Sequence, residues 1–202
     1  MSDDGIAILG KETVHQGFFR VDRYRLRHRL YRGGWSGEVA REVFERGCTV
    51  GVLLYDPDAD AVVLVEQFRL AYRLAGYPAW QAEIVAGIVH PEDGSVEAVA
   101  RRETVEEAGV SIEGALLPIT RYMPSPGGST EVIDLFCART DARRAHGIHG
   151  LADENEDTKV VVLGYRVALG RLRAGAIPNG PTALALCWLM ARRARLRRHW
   201  PE

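Results

Sequence analysis

The sequence predicts a fold that mixes helices with strands, α/β or α+β, and three observations carry that prediction. Two apolar, β-branched runs, Thr49 to Tyr55 and Ala61 to Phe68, have the length and composition of core strands. A short helix starts after Ser95, a good N-cap, and stops at Gly109, where a C′ glycine would end it. A terminal helix opens at Pro181 and runs to about Arg198, with arginines at its end, where the helix dipole favours positive charge.

Taken in order, the first region is a β-hairpin. From Arg23 to Leu30 the alternation is strict, with Arg23, Arg25, Arg27 and Arg29 on one side and Tyr24, Leu26, His28 and Leu30 on the other. Arg32-Gly33-Gly34-Trp35 supplies a turn, and Glu38 to Phe44 returns as a second strand. Two strands alone are marginal in water, so their apolar face must lie on the main domain or on a second chain. The arginines form either a solvated face or a contact to an anionic ligand. Residues 1–47 are therefore set apart from a main domain at 48–202.

In the main domain, Asp56-Pro57-Asp58-Ala59-Asp60 is the turn between the two core strands. Gln67 and Arg69 close the second strand, either as an exposed strand end or where a ligand meets them. Ala71 to Trp80 is expected as loop, and Ala82 to Val89 leads toward the short helix with Glu83 amid apolar neighbours. Ile112 to Met123 is a strand bent, or placed at an edge, by Pro118. Ser125 to Ser129 is a turn, and Thr130 to Ala138 another strand. The acidic loop 147–157 begins like a calcium loop at Asp153, Asn155 and Asp157, but Thr158 and Gly164 stand where the glycine and the bidentate glutamate are required. Lys159 to Tyr165 is a strand, and Arg166 to Ala174 a helix stopped by Gly175. In the terminal helix Leu184, Cys187, Trp188 and Ala191 are expected to face the core.

Composition excludes several classes. Of the 202 residues, 47% are hydrophobic and 26% charged, as in ordinary globular proteins. A net charge of −1 gives no electrostatic reason to bind nucleic acid or a membrane surface. The longest apolar run, Ala183 to Ala191, is far below spanning length. The acidic opening Met1-Ser2-Asp3-Asp4 does not resemble a secretory leader. Cys48, Cys137 and Cys187 are distant and fit no C-x-x-C pattern, and they are expected as buried, reduced thiols in a cytoplasmic protein.

The chemistry concentrates on the short helix. At about 100° per residue, one narrow face collects Val96, Val99, Ala100, Glu103 and Glu107, with Arg102 and Glu106 beside it. Two carboxylates thus continue an apolar stripe that should turn inward. Like charges at i,i+4 repel, and a desolvated unpaired carboxylate costs far more. One arginine cannot neutralise Glu103, Glu106 and Glu107 together, so a divalent cation is the economical explanation; the alternative is a surface helix whose acidic end is merely solvated.

The stretch from Arg102 to Val110, RETVEEAGV, resembles the REUXEEXGU half of the box that marks the Nudix hydrolases, with Gly87 as the opening glycine. One departure is an insertion of one residue before the helix, which places the box's first acidic position on Asp93 or Gly94. Further blocks resemble the ADP-ribose-hydrolysing group of that family: REVFERG (41–47), VVLVEQFR (62–69), EIVAG (83–87), SPGGSTE (125–131) and GIHGLADENED (147–157). The resemblance implies an α/β/α sandwich around a mixed sheet, plus the small N-terminal antiparallel region exchanged in a homodimer. It implies Mg²⁺, or Mn²⁺, held by Glu103, Glu107, Glu156 and the carbonyl of Ala86, with Glu154 as general base; which of Glu154 and Glu156 is base and which is ligand stays open. Arg41 and Arg69 match substrate-binding arginines, with Gln67, Gly87 and Ser125 lining the site. The implied reaction is hydrolysis of ADP-ribose to AMP and ribose 5-phosphate. The alternatives are another nucleoside diphosphate sugar such as GDP-mannose, or a catalytically silent nucleotide sensor.

Overall fold

The structure is a computed structural model that describes residues 5–151 and 155–201. Its contacts divide into two compact units.

The first unit comprises the chain through Gly47 together with Met123–Val132. Strands β1 (Ile6–Gln16), β2 (Arg20–His28) and β3 (Val39–Glu45) form an antiparallel sheet in that order. The expected hairpin is β2–β3, and β1 is an additional strand. Its pairing slips between Ile8 and Gly10 and again between Thr13 and His15. Each slip moves the apolar residues to the other face, which erases the period-two signal from the sequence. The arginine stripe is committed to neighbouring strands: Arg23 pairs with Glu12 and Glu42, and Arg25 with Glu38. Buried Asp22 accepts from Thr13 at 2.7 Å and pairs with Lys11 at 2.8 Å. The Ser125–Ser129 turn closes on β3, where the Phe44 amide donates to the Gly128 carbonyl at 2.8 Å. Ile6, Ile8, Leu9 and Phe18 are exposed.

The second unit comprises residues 48–122 and the chain from Ile133 onward. It is built on a mixed eight-stranded sheet. Six strands, β4 (Cys48–Asp56), β5 (Ala61–Phe68), β8 (Glu113–Tyr122), β9 (Val132–Arg139), β10 (Ile148–His149) and β11 (Thr158–Gly164), run in the order β10-β11-β5-β4-β9-β8. Two more, β6 (Trp80–Glu83) and β7 (Val85–Val89), pair with β5 and β4 respectively. Alternation along β4 sends Val50, Val52 and Leu54 to one face and Leu53 and Tyr55 to the other. Helix α2 (Val96–Ala108) packs on the first face. Helices α3 (Tyr165–Arg173) and α4 (Gly180–Arg198) pack on the second, so the sheet lies between helical layers. Pro118 falls on the sheet-edge strand β8, next to a register shift, as its missing amide requires.

Three expectations need correction. Residues 71–80 are not all loop: a single helical turn, α1 (Leu70–Leu74), buries nothing and so left no periodicity, and Trp80 already belongs to β6. In α4 the buried residues are Thr182, Ala185, Leu186, Leu189 and Leu196, whereas Leu184, Cys187 and Ala191 are exposed and Trp188 is half-buried. Thr182 sets that rotation, because its hydroxyl oxygen accepts from the Ile84 amide at 3.0 Å while Asn179 caps the helix through the Thr182 amide at 2.8 Å. Of the cysteines only Cys137 is buried; all three are free thiols.

The site is positioned by a divergence in the sheet. β4 and β5 pair only from Leu54–Val63 to Asp56–Ala61. Beyond that they part, β5 continuing with β6 and β4 with β7. Gln67, Ala86 and Gly87 thereby come beneath α2.

Candidate active site

Helix α2 starts where Ser95 accepts from the Ala98 amide at 3.1 Å and ends at Gly109, whose φ of +64° suits glycine. Its buried face comprises Val99, Ala100, Thr104, Glu107 and Ala108, one carboxylate among apolar and small residues.

Glu107 is 3% exposed. Its two oxygens accept from Gln67 Nε2 at 3.3 Å and from the Ala86 amide at 3.1 Å, so both diverging strands grip it. Burial pushes its carboxyl up to about 8; the Ala86 N–H opposes this, and the charge of Glu103 adds to it. Glu103, half-buried, is also raised by burial, with Arg102 opposing and with Glu106 and Glu156 repelling it. Gly87 sits so close that a Cβ there would overlap the Glu103 side chain. That contact gives the box's opening glycine its physical reason.

Arg102 divides its single charge among three carboxylates. It pairs with Asp93 at 2.5 Å, with Glu103 at 3.1 Å and with Glu106 at 3.8 Å. Asp93, in a 3-10 turn at Pro91–Asp93, also accepts from the His90 amide at 2.6 Å. The inserted loop therefore presents Asp93 to the arginine, and Gly94 absorbs the extra residue at φ +77°.

The acidic loop docks on the same helix. The Gly150 amide donates to the Glu106 carbonyl at 3.0 Å, and the Glu156 amide to Leu151 at 3.1 Å. Gly109 has no room for a Cβ because the His149 ring covers it, and the ring's Nε2 lies 2.8 Å from the His146 carbonyl. His149 is thus a docking residue. Glu154, the expected base, lies outside the described residues together with Ala152 and Asp153.

Arg69 Nε donates to Glu83 at 3.3 Å, and Glu83 is buried. Tyr72 and Asn179 bind the other oxygen of that carboxylate at 2.5 and 3.1 Å. Sequence reasoning noticed Glu83 only as a polar residue among apolar ones and missed Tyr72 and Asn179; the helix-opening Asn179-Gly180-Pro181 was the available signal. Arg41 and Ser125 belong to the first unit, both exposed; Arg41 Nη1 donates to the Ala40 carbonyl at 2.8 Å.

The donor set fits a hard divalent cation. Glu103, Glu107 and Glu156 repel one another, two of them are substantially desolvated, and all are oxygen donors of the kind Mg²⁺ takes. Among the described residues no three His, Cys, Asp or Glu side chains form a ready-made metal group. The fit accordingly rests on the uncompensated charge. A separate cavity of about 460 Å³ is lined by Asp56, Asp58, Glu113, Arg139 and Asp141 among others. Its Arg139 and Arg143 are paired with Asp58 and Asp141 at 2.9 Å, which leaves it no net attraction for an anion. Among the described residues no helix is long and apolar enough to cross a membrane.

Comparison with known proteins points the same way. The NUDIX domain model matches residues 45–180. The chain is 43% identical to ADP-ribose pyrophosphatase of Escherichia coli (strain K12), over 96% of this chain and 92% of that protein. It is 41% identical to ADP-ribose pyrophosphatase of Haemophilus influenzae, over 98% and 92%. GDP-mannose pyrophosphatase of Cronobacter sakazakii is 38% identical over 78% of this chain and 82% of that protein. A solved structure described as an ADP compounds hydrolase shares the fold, with TM-score 0.69 and 20% identity over 93% and 96% of the two chains. A matched domain spanning the sheet, the carboxylate helix and its preceding loop, together with relatives similar along nearly the whole chain, establishes that this protein belongs to the NUDIX family of hydrolases.

Proposed function

We propose that the protein is a Mg²⁺-dependent hydrolase that cleaves the pyrophosphate bond of ADP-ribose to give AMP and ribose 5-phosphate. The observation that carries the reading is the carboxylate cluster of α2, buried without enough positive charge, in a chain similar end to end to ADP-ribose pyrophosphatases.

Glu103, Glu107, Glu156 and the Ala86 carbonyl are the proposed ligands. A Mg²⁺ ion held by them would supply positive charge against the diphosphate and lower the pKa of a water. Gln67 and the Ala86 amide orient Glu107, and Gly87 keeps the backbone clear of Glu103. Glu154 accepts the proton of the attacking water. The water oxygen bonds to phosphorus, the bond from that phosphorus to the bridging oxygen breaks, and the leaving phosphate carries the second sugar away. Arg69 offsets charge on the diphosphate; Arg41 and Ser125 are the further proposed substrate-binding residues.

The same reading makes the protein a homodimer through that unit, supported by the exposed Ile6, Ile8, Leu9 and Phe18. A cytoplasmic location is supported by three free thiols. GDP-mannose is the second substrate to test, since a relative acting on it matches over a shorter span. The test is kcat/KM for ADP-ribose and GDP-mannose with Mg²⁺. Preference for ADP-ribose is expected; preference for GDP-mannose refutes the substrate, and no turnover of any nucleoside diphosphate sugar favours the sensor.

A further inference from the structure

We infer that Glu83 is a positioning residue for Arg69: it fixes the guanidinium on the side of β5 that faces the α2 carboxylates and so sets how tightly a diphosphate is held. The inference rests on the proposed role of Arg69 in binding substrate.

Three observations support it. Arg69 follows the last residue of β5 with its backbone still extended, at φ −134° and ψ 111°, so it keeps to the side of the strand taken by Gln67, and Gln67 reaches Glu107. Arg69 is half exposed, its Nε donates to Glu83, and among the described residues its two Nη groups have no protein partner. They are the atoms left to meet an anion in the forked geometry that suits phosphate. Glu83 itself has little freedom. Its carboxylate is buried, and its other oxygen is held by the Tyr72 hydroxyl and by Asn179, the N-cap of α4. The clamp therefore runs from α4 through Glu83 to a cation at the edge of the site. A mobile Arg69 would lose rotamer entropy each time substrate bound; a clamped one has lost it in folding.

The experiment is steady-state hydrolysis of ADP-ribose at saturating Mg²⁺ by wild type, Arg69→Ala, Glu83→Gln, the double variant and Tyr72→Phe. Arg69→Ala should raise KM at least about tenfold, the scale of one charge-assisted hydrogen bond to phosphate. Glu83→Gln should raise KM about fivefold or more with kcat within about twofold, since uniform binding is what is lost. The double variant should match Arg69→Ala, because Glu83 acts only through that side chain. A merely structural Glu83 would instead lower kcat through a smaller active fraction, or multiply with Arg69→Ala, and either result overturns the inference. An unchanged KM in Arg69→Ala overturns the reading of Arg69 itself, and with it this one. If Glu83→Gln does not fold, Tyr72→Phe loosens the same carboxylate while keeping every charge. A two- to threefold rise in its KM that vanishes without Arg69 supports the clamp, and no rise refutes it.

Discussion

Replacing Glu107 by glutamine should make the metal-free protein more stable and the enzyme inactive. Burial holds the Glu107 carboxyl at about 8, against 4.5 when free. Its pKa is raised in the fold, so the native state binds the proton more tightly than the unfolded chain does. Stability therefore falls as pH rises from about 4.5 toward 8. At pH 8 the cost of ionising Glu107 reaches at most about 4 kcal/mol, at about 1.4 kcal/mol per pH unit. Some of that relaxes as the side chain and Gln67 move, so about 1–4 kcal/mol is the expected gain for the neutral variant. Both hydrogen bonds survive the change: the new amide oxygen accepts from Ala86, and Gln67 turns its own amide to accept from the new NH₂. The assay is urea unfolding in EDTA at pH 5 and pH 8. Glu107→Gln should be close to wild type at pH 5 and clearly more stable at pH 8. In Mg²⁺ the order should reverse, since wild type gains from bound metal and the variant does not. A variant less stable than wild type in EDTA at pH 8, or equally shifted at both pH values, refutes the electrostatic account of this residue.

Other outcomes follow from the same geometry. Gly87→Ala should cut activity by about 10²-fold or more while leaving Tm within a few degrees, because its Cβ displaces Glu103; normal activity would mean that Glu103 need not stand where it does. Asp93→Asn removes the charge that shares Arg102 with Glu103 and Glu106, so Arg102 should compete more strongly with the cation, and a rate loss with a rise in the Mg²⁺ concentration for half-maximal activity is expected, read from a Mg²⁺ titration. The same titration separates the acidic-loop residues: Glu156→Gln should be partly rescued by extra Mg²⁺, whereas Glu154→Gln should lose about 10²- to 10⁴-fold in kcat without rescue.

The local signals that proved legible were those with strong chemistry behind them. Ser95 and Gly109 bounded α2, and the two core strands β4 and β5 were visible as apolar runs, because capping and full burial leave their mark on consecutive residues. Strand β1 was hidden by its two register slips, and α1 by burying nothing. The rotation of α4 was misjudged because apolar residues surround that helix, and a polar contact, Thr182 to the Ile84 amide, chooses the inward face. At the site, the inward carboxylates were predicted from helical spacing. The clamp on Arg69 joins residues 69, 72, 83 and 179, and that proximity exists only after the sheet has formed. The choice between Asp93 and Gly94 likewise needed the geometry of the 3-10 turn.

The most direct test of the whole account is ³¹P NMR of ADP-ribose incubated with the protein and Mg²⁺. The diphosphate resonances should disappear and two phosphomonoester resonances replace them in equal amounts, those of AMP and ribose 5-phosphate. EDTA, or the substitution Glu103→Gln, should keep the diphosphate intact on the same timescale. Persistence of the diphosphate with wild-type protein and Mg²⁺ would contradict the account, as would its cleavage at an undiminished rate by Glu103→Gln.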